Sequence, residues 1–181
     1  MKSNIHKITV IGDGGWGTTL AVHLQKKNYH VTLWGPFPEY IKEIESTRMN
    51  SKFLPGITIP KEIVLTSDLT SALKGSELIV FAIPSKYDID VIKKIKLADV
   101  DLSKKIILSV TKGIDTEKLL RISELIQKEL KKIPFAVLSG PTIASEVAKE
   151  IPSTAVIAAK SSALAKKIQT VFNSDYFRIY T

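Results

Sequence analysis

Three short stretches of this chain carry residue types at spacings that could do chemistry. The first is Gly12-Asp13-Gly14-Gly15-Trp16-Gly17, a G-x-G-x-x-G set directly after the apolar run at residues 8–11 and directly before a helical pattern. In that setting Gly12 permits a tight turn, Gly14 lets a pyrophosphate approach the backbone, and Gly17 lets helix and strand pack closely. The helix N-terminus behind them offers unpaired amides and a partial positive charge. This is the chemistry of a dinucleotide site. The plain alternative is a glycine turn that serves packing alone. Trp16 weighs against it, because an exposed indole inside the turn is costly unless it packs on protein or ligand. The second stretch holds Lys112, just past the apolar run at 106–110. A cation there could polarise a ketone oxygen or hold a developing negative oxygen. In a chain with 23 lysines the competing role is simple solvation. The third, Ser139-Gly140-Pro141-Thr142, is either a ligand-binding turn or a strand-to-helix turn with a capping threonine.

These residues need a scaffold, and the chain reads as one. Val- and Ile-rich runs at 8–11, 30–34, 63–66, 78–83, 106–110, 135–139, 155–159 and 177–180 alternate with helical patterns, the sequence form of βαβ units. Several runs are apolar at nearly every position, as strands covered on both faces require. The expected fold is α/β: a Rossmann-type doubly wound, mostly parallel sheet with helices on both faces. The first helix sets Gly17, Leu20, Ala21 and Leu24 on one buried stripe. A second is predicted over 116–131 with Leu119, Ile122, Ile126 and Leu130 inward, and a third over 162–172 with Leu164, Ile168, Val171 and Phe172 inward. Ser85-Lys86-Tyr87-Asp88 has the form of a capping box. Residues 50–60, with Pro55-Gly56 and Pro60, read as a long irregular loop.

One customary signal is missing. Dinucleotide folds usually place an acid about 20 residues past the glycines, at the end of the second strand, to bond the adenine ribose. Here Trp34 is followed by Gly35-Pro36-Phe37-Pro38-Glu39, with neither an acid nor an arginine at the strand end, and Glu39 comes late enough to belong to the next helix. The choice between NAD and NADP stays open.

Composition narrows the class. With 44% hydrophobic and 24% charged residues over 181 positions, the chain suits a single globular domain. No run reaches the roughly 20 apolar residues of a membrane span, and the polar N-terminus lacks a secretory core, so cytoplasm is the expected compartment and no membrane partner is expected. Cysteine is absent, and His6, His23 and His30 show no ligand spacing, so no metal is expected. The formal charge of +8 could suit nucleic acid, but only Arg48, Arg121 and Arg178 are arginine and the lysine pairs lie scattered along helices. Nucleic acid is therefore not expected as a partner.

Trp16 in the glycine motif, Asn50-Ser51-Lys52-Phe53-Leu54-Pro55-Gly56, Ala82-Ile83-Pro84-Ser85, Thr111-Lys112-Gly113-Ile114 and Leu138-Ser139-Gly140-Pro141-Thr142-Ile143-Ala144-Ser145-Glu146-Val147 stand in one order along the chain. In that order the set resembles the bacterial NAD(P)-dependent glycerol-3-phosphate dehydrogenases, and Phe177-Arg178-Ile179-Tyr180 looks like the family segment before its second domain. The resemblance implies an oxidoreductase of glycerophospholipid metabolism. It would move hydride reversibly between a nicotinamide, NAD or NADP, and C2 of glycerol 3-phosphate or dihydroxyacetone phosphate. Carried over by motif, Gly12, Gly14, Gly15, Trp16, Gly17, Phe53, Pro84, Lys112 and Ala144 belong on the cofactor side. Lys112, Gly140 and Thr142 face the substrate, and Lys112 is the catalytic candidate.

The family's helical second domain, which supplies a further lysine and the phosphate-holding groups, would follow Thr181. Residues 1–181 are thus expected to form the dinucleotide-binding domain, inactive in isolation, of an enzyme that is a homodimer at full length. Two alternatives stand beside this reading. One is another oxidoreductase of the 6-phosphogluconate-dehydrogenase-like group, such as a ketopantoate or 6-phosphogluconate dehydrogenase, which Trp16, Lys112 and Ser139-Gly140-Pro141 disfavour. The other is a non-catalytic dinucleotide sensor acting on a partner.

Overall fold

A computed structural model describes residues 5–115, 119–130 and 133–181. The chain opens with β1 (Lys7–Ile11), α1 (Gly15–Lys26), β2 (His30–Trp34) and α2 (Pro38–Thr47). A short hairpin, β3 (Met49–Asn50) and β4 (Leu54–Thr58), leads to β5 (Val64–Thr66), α3 (Leu69–Lys74) and β6 (Leu78–Phe81). A 3₁₀ turn at Ser85–Tyr87 precedes α4 (Asp88–Leu97), then β7 (Ile106–Ser109) and a second small hairpin, β8 (Ile114–Asp115) with β9 (Leu120–Arg121). The rest is α5 (Ile122–Glu129), β10 (Phe135–Ser139), α6 (Ala144–Ala148), β11 (Ser153–Ala159), α7 (Ser162–Phe172) and β12 (Phe177–Tyr180).

All eight apolar runs of the sequence become strands of one sheet, ordered β12-β11-β10-β7-β6-β1-β2-β5. From β5 to β10 every pairing is parallel, and β11 with β12 runs the other way. Taken in chain order, the six parallel strands lie 3-2-1-4-5-6, the doubly wound arrangement. The chain leaves β1 toward β2 and β5, then returns to the other side of β1 through β6. A crevice therefore opens at the carboxyl ends of β1 and β6, where such sheets bind ligands. β6 and β7 are buried at every position because helices cover both faces. One face packs Leu20, Ala21 and Leu24 of α1 with Ile168, Val171 and Phe172 of α7, and the other packs Leu73 of α3, Ile92 of α4 and Leu125 of α5. Among the described residues, no helix is long and apolar enough to cross a membrane.

Local expectations fail at three places. The helix predicted over 116–131 begins at Ile122, since Leu119 has φ +53° and is 80% exposed, which a helical inner face excludes. Residues 116–118 and 131–132 of that expectation lie outside the described ones. Glu124 instead starts α5 by reaching back to the Arg121 amide at 3.0 Å. Residues 50–60 hold the β3–β4 hairpin, built across Met49↔Thr58 and Asn50↔Leu54, where an irregular loop is predicted. Ser85 to Asp88 forms no capping box: the Asp88 carboxyl is fully buried and neither oxygen has a hydrogen-bond partner. On α7, Leu164 does face inward as expected, half-buried in the first turn and packed against the same core as Ile168, Val171 and Phe172.

Candidate functional site

The three spaced glycines of the turn meet different surroundings. Gly12 has φ +117°, a conformation side chains rarely adopt, and a Cβ there would run into the Ala82 backbone, 2.9 Å from its carbonyl carbon. At Gly17 a Cβ would collide with the Gly12 carbonyl group. Both glycines let β1, β6 and α1 close on one another, and the Gly12 amide donates to the Trp34 carbonyl at 2.9 Å. Gly14 differs, since a Cβ built on it would meet nothing within 4 Å. It is the N-cap of α1, no side chain caps that helix, and no acid lies in its first turn. The turn therefore presents open space in front of a helix terminus with orphan amides and a partial positive charge, which is how backbone holds phosphate.

The other strand ends converge on the same place. A cleft of about 380 Å³ is lined by residues 14–16 after β1, 82–84 after β6, 110–112 after β7, and Thr142 and Ala144 beyond β10. Trp16 forms part of its wall and packs edge-on against Phe177, with ring centroids 6.1 Å apart. That packing answers the cost of an indole inside the turn. At the rim the Lys112 ammonium donates to the Thr142 carbonyl at 3.1 Å and to its hydroxyl oxygen at 3.4 Å. These contacts hold a cation at the carboxyl end of the sheet. Thr19 of α1 donates to the Ala144 carbonyl at 3.0 Å, tying the glycine helix to α6.

The hairpin closes the other side of the turn. Asn50 is fully buried, and its amide nitrogen donates to the Asp13 carbonyl at 2.7 Å and to the Thr18 hydroxyl at 2.8 Å. Its oxygen accepts from the Tyr40 hydroxyl at 2.6 Å and the Phe53 amide at 3.1 Å. One side chain thus fixes α2, the hairpin and the glycine turn together. A Cβ on Gly15 would come within 2.6 Å of the Phe53 carbonyl oxygen, so hairpin backbone lies directly over the turn. The Phe53 ring is 46% exposed and meets Tyr40 edge-on.

Asp13 is the electrostatic anomaly of the site. It is 7% exposed, and its Oδ2 has no hydrogen-bond partner. Burial pushes its pKa up, opposed by a backbone hydrogen bond and by the Lys52 charge.

Of the residues singled out in the sequence, Gly14, Gly15, Trp16, Pro84, Lys112, Thr142 and Ala144 line one cleft. Gly12 and Gly17 lie beneath it as packing elements, and Phe53 stands at its edge through its backbone. Gly140 does not line it: a Cβ there would press on β11, 2.8 Å from the Thr154 carbonyl oxygen, which gives the glycine a packing reason of its own. Sequence reasoning missed Asn50 and Asp13. Asn50 showed only as the first residue of a loop and of one family-like segment, with no role of its own, and Asp13 as the variable position inside the glycine motif. Among the described residues no group of three or more His, Asp or Glu is placed to hold a metal ion.

The arrangement suits a dinucleotide. Its diphosphate fits the free space over Gly14, an extended ligand fits a cleft shared by four strand ends, and the lysine at the rim suits an electronegative oxygen.

Comparison with known proteins points the same way. Residues 7–165 match the family model described as NAD-dependent glycerol-3-phosphate dehydrogenase N-terminus. The chain is 41% identical over 179 residues to a glycerol-3-phosphate dehydrogenase [NAD(P)+] of Citrifermentans bemidjiense, covering 96% of this chain and 52% of that protein. Among solved structures it is similar to glycerol-3-phosphate dehydrogenase from Coxiella burnetii, with a TM-score of 0.90 at 32% identity over 97% of this chain and 53% of that one. The Saccharomyces cerevisiae glycerol-3-phosphate dehydrogenase gives a TM-score of 0.82 at 30% identity, over 97% and 56% of the two chains. The chain spans about half the length of the curated relatives it matches.

Proposed function

The chain belongs to the NAD-dependent glycerol-3-phosphate dehydrogenase N-terminal family, and from that membership we propose that residues 1–181 are the dinucleotide-binding domain of such an enzyme. The observation that carries this reading is Gly14, the N-cap of an uncapped helix, with open space where a side chain would stand, at the point where the strand order reverses. A bound nicotinamide dinucleotide supplies the hydride acceptor or donor, and this chain's residues hold and orient it. Gly14 leaves room for the diphosphate, and Gly15 lies beside it with its backbone under the Phe53 carbonyl and Ala144 flanking the turn. Trp16 and Pro84 wall the cleft. Lys112 holds the substrate oxygen that gains negative charge when glycerol 3-phosphate and dihydroxyacetone phosphate interconvert. Such a charge, fixed before reaction, stabilises the transition state without reorganisation. Thr142 positions that lysine through two contacts and lies where substrate would pass; Gly140 acts beneath it by bringing β10 and β11 together.

The activity for which the relatives are named belongs to proteins about twice as long, and the 181 residues alone are expected to bind dinucleotide with little turnover. We place the whole enzyme in the cytoplasm as a homodimer, on the family resemblance. Calorimetric titration with NADH and with NADPH, followed by an assay of glycerol 3-phosphate oxidation, tests the reading. Saturable one-to-one binding with little or no turnover is expected, and absence of binding to both NADH and NADPH would remove it.

A further inference from the structure

We propose that Asp13 reads the adenine ribose of the dinucleotide and makes this site select NAD(H) over NADP(H), an inference that rests on the cofactor reading above. In doubly wound folds the acid that bonds the ribose 2′-hydroxyl hangs from the end of the second strand. In this chain that place is Gly35, directly after β2. A Cβ built on Gly35 would run into the Asp13 carboxyl group, 2.5 Å from its Cγ. The carboxylate therefore occupies the space that a side chain at the end of β2 would fill. It arrives from the end of β1, through the variable position of the glycine motif.

The carboxylate has what a ribose reader needs. It is 93% buried by exposure, and its Oδ2 lacks a donor. An acceptor left bare inside a protein is destabilising, and a ligand whose donor reaches it relieves the cost. Its backbone is pinned, since the Asp13 carbonyl accepts from Asn50 at 2.7 Å and from the Thr18 hydroxyl at 3.4 Å. The side chain is therefore held at the corner between β1 and β2. A ribose diol brings hydroxyl donors to that corner. A 2′-phosphate brings only acceptors and negative charge against a desolvated carboxylate, and like charges at close range repel strongly there. No arginine follows β2 to compensate, because the chain continues Gly35-Pro36-Phe37-Pro38. Lys52 faces Asp13 from the hairpin, but it is exposed and lies over the rings of Phe53 and Tyr40 at 5.2 and 5.8 Å. A hydrated, flexible ammonium is a weaker reader of phosphate than a fixed guanidinium fork.

The test is calorimetric titration of the chain and of Asp13→Ala, Asp13→Asn and Lys52→Ala with NADH and NADPH, together with the Tm of each ligand-free protein. The unsubstituted chain is expected to bind NADH at least about tenfold tighter than NADPH, the worth of a hydrogen bond to a charged group. Asp13→Ala and Asp13→Asn should bring the two affinities to within about threefold, by weakening NADH and sparing or strengthening NADPH. The ligand-free Tm should be equal or higher, because an unpaired buried carboxylate is removed; a merely structural Asp13 would lower Tm and leave the affinity ratio alone. Equal affinities in the unsubstituted chain, or an unchanged ratio in both Asp13 variants, would overturn the proposal while leaving the cofactor site standing. A preference for NADPH that Lys52→Ala abolishes would overturn it in favour of a phosphate-reading corner. Binding of neither dinucleotide would remove the cofactor reading itself.

Discussion

Gly17 and Gly12 touch so closely that a methyl group on the first would occupy the carbonyl of the second. Three residues before Gly17, at the cap of the same helix, Gly14 faces open space. One motif thus contains glycines required by packing and a glycine that packing does not require. A residue kept bare with room around it points to something outside the chain that fills the room.

The difference is measurable. Gly14→Val should fold with a Tm close to that of the parent, since its φ of −69° and ψ of 177° suit any residue, yet lose dinucleotide affinity. Gly17→Ala should lose roughly 3 kcal/mol or more of stability, because the clash is with backbone that cannot step aside. Urea unfolding and calorimetry on both variants check the pair. Weakened folding in Gly14→Val with intact binding would reverse the assignment.

Gly35→Ala should destabilise the fold by about 1–3 kcal/mol, the cost of forcing an atom into a filled space. In an Asp13→Ala background the cost should shrink, because the carboxyl that the new methyl strikes is gone. Some should remain, since a Cβ there also approaches the Ile41 side chain at 2.7 Å. A double-mutant cycle with no coupling would show that the two residues do not share the corner.

Much of this was legible in the sequence, and the gaps have physical causes. Eight apolar runs marked eight strands, because strands buried on both faces tolerate little else. Lys112 and Trp16 stood out by position and size. The hairpin at residues 49–58 was hidden because Pro55 and Gly56 look like loop residues, whereas its pairing depends on Asn50, three of whose four contacts come from other segments. The acid sought after β2 was missing from that strand, and no one-dimensional spacing rule says that a residue in the glycine turn fills the same volume. Leu119 fitted a helical stripe by spacing, but its backbone turns left-handed and ends the pattern.

His23 should make stability fall in mild acid. Its ring is 2% exposed, its Nε2–H donates to the Phe172 carbonyl at 2.7 Å, and Nδ1 then accepts from the Tyr176 hydroxyl at 2.8 Å. Burial lowers its pKa to about 4 from 6.5. A folded pKa below the unfolded one means that the unfolded chain binds the extra proton, so the contribution is complete above pH 6.5 and is lost as pH falls toward 4. Relative to the parent, His23→Phe should be less costly at about pH 5 than at about pH 7.5, by about 2 kcal/mol in urea unfolding. An identical cost at both pH values would contradict the burial of a neutral ring.

Asp88 acts with the opposite sign. Burial without a partner raises its carboxyl pKa to about 7 from 3.8. The folded state then holds the proton more tightly, and stability falls as pH rises from 3.8 through 7. Asp88→Asn should stabilise the protein more at about pH 8 than at about pH 4.5, by about 3 kcal/mol. The two effects overlap in the parent protein, so each is read as the difference between variant and parent across pH. A gain independent of pH would show that Asp88 is not ionised at the expense of the fold.

The most direct test of the site is to titrate the ¹⁵N-labelled chain with NADH and follow the backbone amides. Resonances of Gly14, Gly15, Trp16 and Gly17, at the uncapped start of α1, are expected to shift first and furthest, with those of residues 82–84 and 110–112 moving beside them. Saturable binding that left the four glycine-turn amides in place while others moved would contradict a diphosphate seated over Gly14.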